Sequence, residues 1–87
     1  MSDIRIALIE DHDLTRMGLR AALKQAGFDF VGEAANGADG LTLLGTQKPD
    51  VALVDIGLPD IDGIELVKRF REEQPQLKTR ILMLTMH

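Results

Sequence analysis

An α/β fold built on a parallel sheet is what this 87-residue sequence predicts, and two observations predict it. Short apolar runs alternate with stretches whose apolar residues recur at helical spacing, in the order β-α-β-α-β-α-β. Each intervening segment is long enough for a crossover that returns the chain to the same starting edge with right-handed topology, which makes the strands parallel.

Ile4 to Ile9 is an apolar run closed by Glu10 and Asp11, suited to a buried first strand that opens into a polar loop. From Leu14 to Ala26, Leu14, Met17, Ala21 and Ala22 recur at helical spacing, Leu19 and Leu23 widen that face, and Gly27 supplies a stop. Phe28 to Ala35 mixes aromatic and β-branched residues with an interior glycine and predicts a second, outer strand. Asn36-Gly37 marks a turn into a short second helix around Leu41, Leu43 and Leu44, where Gly37, Gly40, Gly45 and Thr42 all lower the propensity. Val51 to Val54, ending at Asp55, has the uniform apolar character of a central strand. A third helix runs from Asp62-Gly63 to about Glu73, with Asp62 as its cap, Ile64, Val67 and Phe70 on its inner face, and Pro75 beyond its end. Ile81 to Leu84 supplies a fourth strand.

Residues 1–87 read as one domain without repeat, linker or low-complexity segment. An apolar content of 45% argues for a packed core. A net charge of −4 without a basic stripe disfavours direct nucleic-acid binding by this segment. Absence of cysteine excludes disulfides and thiolate chemistry. Neither a secretory signal nor a membrane span is recognisable, so a cytoplasmic location is expected.

If the first crossover goes one way and the later two go the other, the strand order is 2-1-3-4, and the first and third strands flank the switch point where ligands bind. Glu10, Asp11 and Asp55 then meet at one carboxyl edge. Two unit charges about 5 Å apart repel by roughly 3 kcal/mol at an effective dielectric of about 20, so such a cluster should recruit a cation or raise a pKa. The all-oxygen donor set favours Mg²⁺, which keeps several waters and leaves positions for a phosphoryl oxygen. Phosphoryl transfer to a carboxylate is the chemistry that follows.

Glu10-Asp11-His12, the segment VALVDIGLPDIDG at Val51 to Gly63, and LMLT at Leu82 to Thr85 together resemble a response-regulator receiver domain. The resemblance spans the chain and reaches the fourth strand of a flavodoxin-like family fold that has five. It implies the order 2-1-3-4, with Asp55 accepting a phosphoryl group from a histidine kinase or phosphotransfer protein. It also implies Mg²⁺ held directly by Asp11, Asp55 and the Gly57 carbonyl and through water by Glu10. Thr85 matches the family's switch hydroxyl, which couples phosphorylation to a partner-binding surface. The stretch DHDLTRMGLR at Asp11 to Arg20 is similar to receivers fused to LuxR-type helix-turn-helix output domains, which implies control of transcription.

The family's lysine, at the end of a fifth strand, has no counterpart here. Lys78 precedes the fourth strand and should lie at the opposite edge of the sheet. The expectation is therefore a truncated receiver acting as a phosphoacceptor switch and not as an enzyme, with phosphorylation weakened by the missing lysine. The alternative is a receiver fragment, or a piece of a larger regulator, that works as a self-associating or partner-binding module. In either case the exposed fourth-strand region is expected to favour a homo-oligomer. Asp13 reads as a helix cap, Asp60 as a turn residue, Met83 and Met86 as core or interface residues, and His12 as a helix-entry residue without assigned chemistry. Asp60-Ile61-Asp62-Gly63 superficially suggests the nucleophile loop of haloacid-dehalogenase-type phosphatases, but Leu58-Pro59 separates it from the strand that such a loop must follow directly.

Overall fold

A computed structural model describes residues 3–84. Its elements are β1 (Arg5–Ile9), α1 (Asp13–Gln25), β2 (Asp29–Ala34), α2 (Gly37–Gln47), β3 (Val51–Asp55), α3 (Gly63–Glu73) and β4 (Arg80–Leu84). The sheet order is β2-β1-β3-β4, with every neighbouring pair parallel, as the sequence predicts. The crossover from β1 to β2 runs one way along the sheet and those from β2 to β3 and β3 to β4 run the other, which with right-handed connections places α1 on one face and α2 with α3 on the other. Among the described residues, no helix is long and apolar enough to cross a membrane.

The two central strands are the most buried, which accounts for their unbroken apolar text: Ala7, Leu8, Ile9, Ala52 and Val54 are fully inaccessible. Around Ile9 and Val54 the core gathers Leu44 from α2, Leu66 and Phe70 from α3, and Leu58 from the loop after β3. Burying each of these larger side chains contributes about 1.5–3 kcal/mol, so this cluster is what holds α2 and α3 to the sheet. Met83 packs against the same core, whereas Met86 lies outside the described residues.

The weak propensity of α2 has a packing explanation. A Cβ at Gly40 would lie 2.8 Å from Cδ1 of Ile9, so glycine is what allows the helix to approach β1 closely. Asn36 caps the helix by accepting from the Asp39 N–H at 2.8 Å. Asp60, expected as a turn residue, adds a second cap from 23 residues away, its carboxylate accepting from the N–H groups of Gly37 (2.7 Å) and Ala38 (3.0 Å).

Three expectations are corrected. The N-cap of α1 is His12, not Asp13; Asp13 sits in the first helical turn and pairs with Arg16 at 2.7 Å. Of the α1 face read as buried, Leu14 (84% exposed), Met17 (51%), Ala21 and Ala22 are turned outward, while Leu19 and Leu23 are half-buried as expected. The half-buried stripe adds Thr15, Arg16 and Arg20 to these two leucines, because Arg16 and Arg20 both turn to Glu33 on β2 and fix the helix rotation. In α3, Ile64 is exposed and Leu66 is buried in its place. With Asp62 as cap and Gly63 pressed against the carbonyl of Asp55, the inward positions are Gly63, Leu66 and Phe70, with Val67 beside them. The stop at Gly27 forms as expected: its φ is 92°, and the N–H groups of Gly27 and Phe28 bond back to Lys24 and Leu23 in a Schellman arrangement.

Candidate metal centre

The pairing of Ile9 with Val54 places the next residues, Glu10 and Asp55, side by side at the carboxyl ends of β1 and β3. Asp11 and His12 follow Glu10 into the loop. One ligand atom from each of Glu10, Asp11, His12 and Asp55 lies within 4.8 Å of the others. The carboxylates expected to converge therefore do so, through the strand order that parallel topology imposes.

Burial makes this grouping electrostatically demanding. Glu10 is fully inaccessible and Asp55 is 3% exposed. Among the described residues, Glu10 Oε1, Asp11 Oδ1 and Asp55 Oδ2 have no hydrogen-bond donor. Burial above all, then the neighbouring Asp55 and Asp11, push the Glu10 carboxyl above its usual range, against the lowering effect of the His12 backbone N–H, which donates to Oε2 at 3.0 Å. Arg16 does not neutralise the cluster. Its guanidinium is taken by Asp13, Glu33 and the Glu10 backbone carbonyl.

Among the described residues, Gly57 is what holds the Asp55 side chain. The Gly57 N–H donates to its Oδ1 at 3.0 Å, which fixes the carboxylate plane and leaves Oδ2 directed at the cluster. His12, the N-cap of α1, brings Nδ1 within 3.0 Å of Glu10 Oε2, 3.1 Å of Asp11 Oδ1 and 3.8 Å of Asp55 Oδ2. The approach to Asp11 meets the ion-pair distance without hydrogen-bond geometry, so this oxygen counts as unpartnered. Glu10 first, then Asp11, raise the His12 imidazole above its ordinary range.

Buried carboxylate oxygens without donors, all oxygen apart from one imidazole, fit a small divalent cation: a charge brought among them relieves both their repulsion and their lost hydration. Of the residues expected at the site, Glu10, Asp11 and Asp55 are brought together, and Gly57 is tied to Asp55 through its N–H. Thr85 lies outside the described residues. Lys78 is well away, beside Pro49, Asp50 and Thr79 at the amino edge of the sheet, as expected. His12 is the site residue that sequence reasoning left without a role. The available signal was its position immediately after the strand-end acids, where a helix N-cap must stay at the same edge.

Residues 6–87 match the response regulator receiver domain family. The transcriptional regulatory protein LiaR of Bacillus subtilis is 40% identical over 80 residues, 91% of this chain and 38% of LiaR. The response regulator protein VraR of Staphylococcus epidermidis is 35% identical over 83 residues, 94% of this chain and 39% of VraR. This chain thus spans about two fifths of the curated relatives it matches. Among solved structures, the signal receiver domain of NarL from Mycobacterium tuberculosis superposes with a TM-score of 0.90 at 36% identity, covering 100% of this chain and 69% of that one. A LuxR-family two-component response regulator from Aurantimonas sp. gives 0.88 at 34% identity, covering 99% and 61%. With the family matched over nearly its whole length and the sheet order shared with these neighbours, the chain belongs to the response regulator receiver domain family.

Proposed function

We propose that this chain is the phosphoacceptor receiver of a two-component response regulator, taking a phosphoryl group on Asp55 and answering with a change of conformation. The observation that carries the reading is the Asp55 carboxylate: almost inaccessible, with Oδ1 fixed by the Gly57 N–H and Oδ2 unpartnered beside Glu10 and Asp11. A carboxylate oxygen so placed attacks the phosphorus of a phosphohistidine. The P–N bond breaks, its electron pair returns to the imidazole nitrogen of the histidine kinase or phosphotransfer protein, and an acyl phosphate remains on Asp55.

Receiver domains bind Mg²⁺ at acidic residues, and here Asp11, Asp55 and the Gly57 carbonyl would hold it, with Glu10 acting through water. The bound ion supplies charge neutralisation for the phosphoryl oxygens. Turnover is not required of such a protein; it is a switch, located in the cytoplasm, with Thr85 as the hydroxyl that follows the phosphoryl group. The relatives named for transcriptional regulation support control of transcription as the output.

Incubation with Mg²⁺ and a small phosphodonor, read by intact mass, tests the reading. A single phosphoryl adduct is expected for the natural sequence and none for Asp55→Asn. Failure to form the adduct, or an adduct that survives in Asp55→Asn, would refute it. A second reading, self-association through β4, is favoured by one observation. Among the described residues β4 pairs only with β3, and Leu82 is 56% exposed. Light scattering that gives a monomer mass at high concentration would exclude it.

A further inference from the structure

We infer that His12 is an inner-sphere nitrogen ligand of the cation held by Asp11 and Asp55, with Glu10 acting through water, and that it biases the site toward first-row transition dications over Mg²⁺. The inference rests on the metal part of the function proposed above and not on phosphoryl transfer. Acidic residues at a strand edge do not by themselves make such a site. Here, however, two side chains that are almost wholly buried, Glu10 and Asp55, each direct an oxygen without a donor into the cluster.

The separations suit one coordination sphere. Ligand bonds of about 2.0–2.1 Å in an octahedron place adjacent donors roughly 2.9 Å apart and opposite donors roughly 4.1 Å apart. His12 Nδ1 lies 3.1 Å from Asp11 Oδ1, an adjacent-donor distance, and 3.8 Å from Asp55 Oδ2, between the two classes, while its 3.0 Å contact with Glu10 Oε2 is a hydrogen bond that holds the ring at the cluster. The whole group lies within 4.8 Å, somewhat wider than an opposite-donor distance, so its most distant ligand atoms would draw together around one ion. Position reinforces distance. As the N-cap of α1, His12 has an extended backbone (φ −80°, ψ 115°), and its side chain makes no capping bond to the helix, so the ring is not committed to capping.

Chemistry then sets the preference. Mg²⁺ is a hard ion that takes oxygen and keeps its waters, so an imidazole adds little for it. Imidazole suits Zn²⁺, Ni²⁺, Cu²⁺ and iron, and affinity for nitrogen-containing sites rises along the divalent series toward copper. A site with the Asp11 and Asp55 carboxylates, Glu10 through water and one imidazole therefore accepts Mg²⁺ through its oxygens but would hold Ni²⁺ or Co²⁺ through the imidazole as well. The rival role for His12 is that of an imidazolium counter-charge to the carboxylates. In that role it competes with any cation equally and confers no selectivity.

Calorimetric titration of the 87-residue chain with Ni²⁺ and, separately, Mg²⁺ distinguishes the two roles when repeated on His12→Asn, which keeps a competent N-cap and offers only an oxygen. Since losing even an outer-shell partner costs about 10–100-fold in metal affinity, loss of the ligand should weaken Ni²⁺ at least about tenfold while Mg²⁺ changes little. The absorption bands of bound Co²⁺ should shift in His12→Asn. An unchanged Ni²⁺/Mg²⁺ affinity ratio in His12→Asn would overturn the inference, as would a stronger Mg²⁺ affinity with Ni²⁺ strengthened in parallel. So would Ni²⁺ binding of full strength in Asp55→Asn and Glu10→Gln, which would place that ion elsewhere. Retained Mg²⁺ binding shows that His12→Asn is folded. An absent phosphoryl adduct together with a lowered ratio would remove the phosphoryl-transfer reading alone, and the reverse pair of results would remove this inference alone.

Discussion

Replacing Asp55 by Asn should make the metal-free protein more stable while removing its response to Mg²⁺. The Asp55 carboxylate shares a 4.8 Å cluster with Glu10 and Asp11. At an effective dielectric of about 20, a separation of 4.8 Å corresponds to about 3.5 kcal/mol of repulsion per pair, or about 7 kcal/mol for both. His12 Nδ1, 3.8 Å from Oδ2 but itself exposed to solvent, offsets only part of this repulsion. The balance runs against the native carboxylate. Asparagine relieves it and keeps an acceptor for the Gly57 N–H. In EDTA the thermal midpoint of Asp55→Asn should therefore rise, by about 4–8 °C for each kcal/mol of repulsion relieved in a domain of this size. Mg²⁺ at about one hundred times its dissociation constant should stabilise the natural sequence by about 2.7 kcal/mol and the variant much less, closing the gap. The chain has no tryptophan or tyrosine, so far-ultraviolet circular dichroism is the appropriate probe. An Asp55→Asn protein that melts at or below the natural one in EDTA, or that gains as much from Mg²⁺, would refute the electrostatic argument.

Two further tests address the frame around the site. A Cβ at Gly63 would lie 2.4 Å from the carbonyl oxygen of Asp55 and 2.9 Å from Cα of Ile56, backbone atoms that cannot swing aside, so Gly63→Ala should cost about 2–4 kcal/mol in urea unfolding. Gly45→Ala, also on a helix but with only Gln74 Nε2 at 3.5 Å, should instead gain about 0.5–1 kcal/mol; the same sign for both would contradict the contact geometry. Asp60 tests the pH dependence. The Gly37 N–H above all, helped by that of Ala38, holds its carboxyl below the ordinary value of 3.8. A depressed native pKa means the ionised carboxylate stabilises the fold fully above about pH 3.8 and loses that contribution as pH falls through its lowered native value. Urea midpoints for the natural sequence and Asp60→Asn should therefore differ at neutral pH and converge in acid, and a constant difference down to low pH would show the charge to be irrelevant.

The elements that sequence reasoning located well were those whose signal is local. β1, β3 and β4 are short apolar runs bounded by charge, and parallel topology alone dictates that the residues after β1 and β3 share an edge; Glu10, Asp11 and Asp55 were legible for that reason. What failed was rotation about helix axes. Apolar spacing in α1 identifies a face able to bury itself, not the neighbour that covers it, and the Arg16 and Arg20 links to Glu33 turned Leu14 and Met17 outward. In α3 a single step, from Ile64 to Leu66, follows from the contact of Gly63 with the Asp55 carbonyl, which only coordinates reveal. Asp60 was underread because its partners lie on another helix, and His12 because a histidine next to two acids looks like any loop residue until the strands are paired.

The same ladder that makes the site legible also explains why its charge cannot relax. Glu10 and Asp55 directly follow the paired Ile9 and Val54, both fully buried, so the sheet register holds their backbones side by side. Their repulsion must therefore be answered locally, by a proton, by His12, or by a cation. The other side of Asp55 is braced as well: Gly63 presses the start of α3 against its backbone carbonyl, and Asp60, in the intervening loop, grips the first turn of α2.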